Sequence, residues 1–186
     1  MSAPAVALTI AQAQRDMRDG YAGGAAGMLA SALAWVAAAT VALQGTPRQS
    51  MFTLFFAGML IHPVGVLLAK LLRRRASHAK GNPMARLAME STILMIACIP
   101  LAFGAAQAKP AWFFQAMLMI IGGRYLIFAT IYGMRVYWLC SAALGAAGYL
   151  LFSMDAPLAY GACAGAAIEI VFAVILYAMV RKDVQS

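Results

Sequence analysis

Charged residues are scarce in this sequence. Only 11% of its 186 residues are Asp, Glu, Lys or Arg, and 64% are hydrophobic. A soluble domain usually has roughly a quarter charged and roughly half apolar residues, because its surface faces water. The sequence therefore has too few polar residues to cover a water-soluble core of this size. We expect a lipid bilayer to cover much of its surface.

Cysteine is scarce as well, and its placement argues against disulfide bonds. The three cysteines, Cys98, Cys140 and Cys163, each lie inside an apolar run. Their number is odd and no Cys-x-x-Cys pair occurs, so neither a disulfide framework nor a zinc site is expected. We interpret these residues as small buried hydrophobic side chains.

Sequence motifs of catalysis are missing. The sequence contains no His-Glu-x-x-His, no Gly-x-Ser-x-Gly and no paired aspartates, and its two histidines are His62 and His78. An embedded enzyme needs a nucleophile with its base, or a set of metal ligands. We therefore expect the protein not to be an enzyme, and we expect no metal site and no cofactor.

Long apolar runs dominate the sequence. Their length of about 20 residues matches an α-helix that crosses roughly 30 Å of hydrocarbon. The alternating segments of about 10 residues that build membrane barrels do not occur. The sequence predicts an all-α fold, a polytopic transmembrane bundle of six membrane-spanning helices. The runs cover residues 21–43, 51–72, 85–106, 111–132, 136–153 and 157–180. The corresponding domains are an N-terminal cytoplasmic or interfacial segment 1–20, a six-helix domain 21–180 and a cytoplasmic tail 181–186.

Lys and Arg are distributed unevenly between the two predicted sides of the membrane. One side carries only Arg48 and Lys109. The other side carries Arg15, Arg18, Lys70, Arg73, Arg74, Arg75, Lys80, Arg86, Arg135, Arg181 and Lys182. The positive-inside rule then predicts that both termini are cytoplasmic, in a bacterial inner membrane. The net charge of +8 is explained by these flanking positions. No basic face recurs along a helix, so we expect no nucleic-acid partner.

The segment before the first apolar run does not resemble a cleavable signal sequence. Its modestly apolar start has no basic residues before it, and acidic and basic residues follow where a cleavage site would lie. Val6, Ile10, Ala13 and Met17 recur at helical spacing. This pattern predicts a short interfacial helix on the membrane surface.

Small residues recur every four positions in several runs. Membrane helices associate by close backbone contact, which such stripes allow. The stripes are Gly23, Gly27 and Ser31; Ser141 and Gly145; and Gly161 and Gly165. We expect these faces to pack on other helices or on a second protomer, which allows a homodimer. One further step of four from Gly165 reaches Glu169, so Glu169 is predicted to face away from lipid.

The loop between the second and third runs carries three consecutive arginines, Arg73, Arg74 and Arg75. Such a cluster fixes the orientation of a membrane protein. It also attracts anionic lipid head groups. The two roles are compatible, and we expect both.

Four ionisable residues lie inside the apolar runs: His62, Glu90, Arg124 and Glu169. A lone charge there costs at least about 2.5 kcal/mol, so each is a candidate functional residue. Arginine stays charged and carries five donors, so Arg124 needs partners. Our hypothesis is that Arg124 bridges to Glu169 or Glu90 and that these groups line one polar pocket, with Tyr125 able to stack on a ligand.

Two interpretations of these polar residues remain open. A carboxylate beside an arginine can carry protons or hold an anionic or zwitterionic substrate, which predicts a small transporter or channel-like protein. The alternative is a scaffold or partner subunit in which the charges only fix helix register. For Glu90 a further alternative is an interfacial ion pair with Arg86, four residues earlier on the same helix.

Several segments resemble those of an uncharacterised family of small bacterial multi-pass membrane proteins. The longest is Gly-Gly-Arg-Tyr-Leu-Ile-Phe-Ala-Thr-Ile-Tyr-Gly-Met-Arg-Val-Tyr-Trp, residues 122–138. The others are Gly-Met-Leu-Ile at 58–61, Pro-Val-Gly at 63–65, Asn-Pro at 82–83 and Met-Glu-Ser-Thr at 89–92. The resemblance covers most of the chain and brings no activity with it. It implies that Glu90 and Arg124 belong to one arrangement.

Overall fold

A computed structural model describes residues 8–182, and every regular element in that part of the chain is a helix. The all-α prediction is confirmed. The helices are α1 (Ile10–Tyr21), α2 (Ala25–Gln44), α3 (Pro47–Leu71), α4 (Pro83–Ala108), α5 (Trp112–Tyr132), α6 (Val136–Ser153) and α7 (Leu158–Lys182). Helices α2 to α7 are long and apolar enough to cross a membrane, as predicted for a multi-pass membrane protein. Val6 and residues 183–186, to which the sequence assigned an interfacial and a tail position, lie outside the described residues.

Polar capping residues set where α3 and α4 begin. Thr46 and Gln49 form a reciprocal capping box before α3, and the Asn82 side chain accepts a hydrogen bond at the start of α4. A proline occupies the first turn of each helix, where its missing N–H costs nothing. Both helices therefore start earlier than the apolar runs predicted, because capping turns are polar and hydropathy does not register them.

The bundle is organised around two helices. Helix α2 packs between α3 and α7, and α5 packs between α4 and α6, while α7 also contacts α5 and α6. Helices α3 and α4 are consecutive, and an extended connection of residues 72–82 joins them. Their backbones stay apart, but the rings of Phe52 and Phe55 on α3 pack on the ring of Phe103 on α4. The two helices therefore meet through side chains and not by close backbone packing. A connection of this length does not force its two helices together.

The predicted small-residue faces are buried between helices of the same chain. A Cβ added at Gly65 would lie 3.2 Å from Gly27 Cα, so the backbones of α2 and α3 meet there. A Cβ at Gly165 would lie 2.5 Å from the Trp35 ring, so α7 rests directly on that indole. Gly161 meets Phe114 of α5 in the same manner. The stripes on α2 and α7 are therefore occupied within one protomer.

Helix α1 lies across one end of the bundle. Gln14 Nε2 donates to the Thr130 carbonyl at 2.7 Å, and Arg18 donates to the Tyr132 carbonyl at the end of α5. Ala13 and Met17, expected on a lipid-facing side, are 0% and 4% exposed because they pack on the protein. A left-handed break at Ala22–Gly24 separates α1 from α2.

Candidate functional site

Arg124 extends from α5 towards α4 and is partly buried. Its Nη2 donates to Thr92 Oγ1 at 3.0 Å, and its Nη1 lies 3.5 Å from Met95 Sδ. The Thr92 hydroxyl itself donates to the Ala88 carbonyl, which turns its oxygen lone pairs towards the guanidinium. The guanidinium carbon lies 4.9 Å from the centre of the Phe128 ring, a cation–π contact. Arg124 Nε is buried without a hydrogen-bond partner among the described residues.

Glu169 lies near the middle of α7 and is 0% exposed. Its Oε1 accepts a hydrogen bond from the Tyr125 hydroxyl at 3.0 Å. The Ser31 hydroxyl and the Trp35 indole N–H, both on α2, lie beside the same carboxyl. Neither completes a hydrogen bond with good geometry, so Glu169 Oε2 and Trp35 Nε1 lack partners within residues 8–182. The carboxyl group is thus enclosed by α2, α5 and α7.

Arg124 and Glu169 occupy separate compartments. The two groups are near enough to interact electrostatically, but no ion pair joins them in the part of the chain that the structure describes. Arg124 and Tyr125 are consecutive, so on a helix their side chains point about 100° apart. Arg124 therefore reaches α4 while Tyr125 reaches α7. The hypothesis of a direct bridge between Arg124 and Glu169 is wrong for this conformation.

Glu90 does not belong to the Arg124 arrangement. It accepts from Arg86 Nε at 2.9 Å, and the side chains of Glu90 and Arg86 are 51% and 80% exposed. The face of α4 that meets the bundle includes Ser91 and Met95 instead. The interfacial ion pair is therefore the interpretation that applies, and the implied grouping of Glu90 with Arg124 is wrong.

His62 lies on the outer surface of α3. It makes no side-chain hydrogen bond within the described residues and is not beside Arg124 or Glu169. The structure therefore brings Tyr125 and Glu169 together, places Arg124 next to that pair, and leaves His62 outside. Within the same residues, no three His, Cys, Asp or Glu side chains come together as metal ligands.

An aromatic cluster separates the two compartments from the end of the bundle that carries α1. The Tyr137 ring stacks with Tyr125 and Tyr132, at ring-centre distances of 5.9 and 5.6 Å. Phe128 meets all three edge-on. The Tyr137 hydroxyl donates to the Gly23 carbonyl at 2.7 Å, which connects the cluster to the break between α1 and α2.

Asp16 on α1 makes several polar contacts at the end of the bundle that carries α1. Its carboxylate accepts from Arg75 at 2.9 Å, from the Ala79 N–H at 2.7 Å and from the Asn82 amide at 2.8 Å. Partial burial alone would raise the pKa of Asp16, but these hydrogen bonds and the charge of Arg75 outweigh it and lower the pKa. Arg75 is therefore engaged in an ion pair with Asp16, a contact that the sequence did not predict.

Sequence reasoning missed Thr92, Ser31 and Trp35 as neighbours of the buried charges. In the structure, positions 84, 88, 91, 95 and 102 of α4 form its inward face at three- and four-residue spacing. Glu90 falls off this face and Thr92 borders it. The sequence does not mark this face, because nearly the whole of α4 is apolar, and it does not mark Trp35, whose role depends on which helix packs against α7.

Comparison with known proteins assigns the chain to a family. A family model described as a family of unknown function (DUF7010) matches residues 10–179. No curated protein and no solved structure matches the chain. The matched region starts at α1 and runs almost to the end of α7, so it includes Arg124, Tyr125 and Glu169. The chain therefore belongs to DUF7010, a family of unknown function, as the resemblance to an uncharacterised family predicted.

Proposed function

We propose that this protein is a small transporter of the bacterial inner membrane that binds an anionic or zwitterionic solute at Arg124. The main support for the proposal is that the Arg124 guanidinium lacks both a counter-ion and one hydrogen-bond partner. Arg124 lies inside a membrane-spanning helix with no carboxylate in contact, and its Nε has no partner among the described residues. An arginine remains charged there, so an anionic group would both neutralise it and use the remaining donor.

The surroundings of Arg124 suit a small anion. Thr92 supplies a hydroxyl that can turn towards a ligand, and the Phe128 ring closes one side of the guanidinium. Among the described residues no second Lys or Arg accompanies Arg124 at this site, so we expect a ligand with a single negative group. Carboxylate geometry matches the planar fork of arginine, and a free amino acid or a short-chain carboxylate fits this chemistry.

We propose an orientation with both termini in the cytoplasm and α1 lying at the cytoplasmic surface. The uneven distribution of Lys and Arg supports it. The contacts of α1 with the 72–82 connection and with the end of α5 also support it, because they bring the basic segments to one end of the bundle. Arg73 and Arg74 would then face anionic head groups, while Arg75 is held by Asp16.

A second function, a scaffold or partner subunit without transport, is favoured by the energetics at Arg124. Burial of an arginine in the middle of a membrane helix costs about 2.5–3.5 kcal/mol on insertion scales. A charged hydrogen bond to Thr92 contributes about 1.5–3 kcal/mol. The contact with Phe128 contributes about 0.5–2 kcal/mol. These contacts offset the cost, so Arg124 could serve packing alone.

Access of water to Arg124 distinguishes the two functions. Thr92→Cys in a chain without the three native cysteines places a thiol beside the guanidinium. A transporter predicts labelling of this thiol by membrane-impermeant reagents and protection by the bound anion. Ser77→Cys, in the exposed connection between α3 and α4, is the positive control. The probes are acetate, succinate, glutamate and phosphate.

Second-site variants identify the source of any protection. Arg124→Gln should abolish it, whereas Arg48→Gln should leave it unchanged. Arg48 is a suitable match because it too lies over a phenylalanine ring, that of Phe52, at 5.7 Å. An unlabelled Thr92→Cys beside a reactive Ser77→Cys would refute transport through this site and favour the scaffold. Labelling without protection by any probe would refute anion binding.

A further inference from the structure

The carboxyl group of Glu169 lies in a closed compartment that the anion site does not use. It is 0% exposed, near the middle of a membrane-spanning helix. The groups beside it are Ser31 and Trp35 from α2 and Tyr125 from α5. Cys140 of α6 and Arg124 of α5 do not touch it but are near enough to interact with it electrostatically. A fully buried carboxyl group with one hydrogen bond is an expensive feature that packing alone does not require.

The chemistry of these neighbours selects the ligand. A hard metal cation takes about six oxygen ligands at once. Beside Glu169 the structure offers two hydroxyl oxygens, and the remaining polar neighbour is an indole N–H that only donates. Within residues 8–182 the compartment therefore lacks the ligands for such a cation. A proton needs only one carboxyl oxygen and one acceptor.

Both protonation states can be hydrogen-bonded by the same residues. In the neutral state Oε1 accepts from the Tyr125 hydroxyl, as observed at 3.0 Å, and the proton on Oε2 can be donated to the Ser31 hydroxyl oxygen. In the ionised state the Ser31 hydroxyl turns and donates to Oε2 instead. The Trp35 N–H lies beside the same carboxyl group and, like Oε2, has no partner among the described residues, so it can also donate to the carboxylate. Because a hydroxyl group can both donate and accept, rotation of the Ser31 hydroxyl is enough to hydrogen-bond Glu169 in either protonation state.

We infer that Glu169 is a proton-binding site, which takes up a proton from water on Oε2 and returns it to water. Because Glu169 is fully enclosed, the exchange requires α7 to separate transiently from α2 or α5. Tyr125 donates a hydrogen bond to Glu169 and directly follows Arg124 in α5. Loss or gain of the proton on Glu169 therefore changes a contact of the same helix that holds Arg124. The coupling of the proton to a solute rests on the proposed function, whereas proton binding itself does not.

Infrared spectroscopy of the full chain in lipid tests proton binding without any solute. A protonated carboxyl group has a C=O stretching band that the ionised group lacks. The sequence has only six Asp and Glu residues, so the background is small. We expect a carboxyl band whose intensity falls as the pH is raised, that is lost in Glu169→Gln and that persists in Glu90→Gln. Glu90 is the matched control because it is exposed and paired with Arg86.

A second variant keeps the test informative if Glu169→Gln does not fold. Tyr125→Phe removes the hydrogen bond to Oε1 and should shift the band to higher frequency without removing it. A band that is absent at every pH, or present and unchanged at every pH, would overturn the inference, since a proton-binding site must exchange. A band that survives in Glu169→Gln would overturn it too. If no anion protects Thr92→Cys from labelling, the infrared result at Glu169 still stands. The two proposals can therefore be refuted separately.

Discussion

Replacing Gly165 by alanine would make the new methyl group overlap sterically with the indole ring of Trp35. The added Cβ would lie 2.5, 2.6 and 2.8 Å from three atoms of that ring. Carbon atoms in contact normally lie about 3.5–4.0 Å apart, so the overlap is about 1 Å. Trp35 is 0% exposed and its ring centre lies 6.0 Å from that of Phe114, which restricts its movement. Either α7 moves away from α2 or the indole leaves its preferred rotamer.

The cost of this substitution can be bounded. Overpacking of a well-packed core typically costs about 1–3 kcal/mol. Gly104→Ala on α4 is the matched control, because nothing lies within 4 Å of a Cβ built there. Relief of the helix penalty of glycine makes that control neutral or up to about 1 kcal/mol more stable. The same relief applies to Gly165→Ala, so the two variants should differ by the overpacking cost alone, about 1–3 kcal/mol in the free energy of unfolding.

Reversible unfolding in mixed micelles measures this difference. We expect Gly165→Ala to unfold at a lower denaturing-detergent fraction than the wild type, and Gly104→Ala at an equal or higher one. Equal midpoints for the two alanine variants would refute the argument that α7 rests on Trp35. The same result would weaken the enclosure of Glu169, since Trp35 forms one wall of that compartment.

Two further substitutions test the end of the bundle that carries α1. Asp16→Asn should release α1 and increase hydrogen exchange in the 72–82 connection, because the carboxylate holds Arg75, Ala79 and Asn82. The pKa of Asp16 is lowered in the folded state, so its stabilisation is present above its ordinary pKa of about 3.9 and is lost as the pH falls through the folded-state value. Acid should therefore release α1 in the wild type, while Asp16→Asn should show no such pH dependence; identical pH profiles would contradict this. Tyr137→Phe should lower the free energy of unfolding by about 1–3 kcal/mol, because the Gly23 carbonyl loses its buried donor; an unchanged unfolding midpoint would contradict that contact.

The number and type of the helices followed from the sequence because membrane insertion imposes a length and a composition on each span. The small-residue stripe on α7 also predicted that Glu169 faces inward, and its 0% exposure confirms this. Helix starts were less accurate, since Thr46 and Asn82 extend α3 and α4 with polar caps that lie outside the apolar runs.

The partners of the buried charges were not predictable in the same manner. The sequence shows that Arg124, Glu169 and Glu90 all lie inside apolar runs, and for this reason we expected them to meet. Rotation about each helix axis decides which groups meet, and it depends on packing between helices that are distant in sequence. Glu90 and Thr92 lie only two positions apart on α4, yet one pairs outward with Arg86 and the other receives Arg124.

The docking of α1 has a consequence for the order of biosynthesis. Gln14 and its acceptor Thr130 are separated by 116 residues, and Arg18 and Tyr132 by 114. A ribosome adds about 5–20 residues per second, so α1 leaves it on the order of 10 s before its binding surface exists. Helix α1 is thus synthesised before α2 to α5 but reaches its place only after α5 has been made. Its docking requires the four helices α2 to α5 to be in place, so a docked α1 reports that these four helices have been inserted correctly.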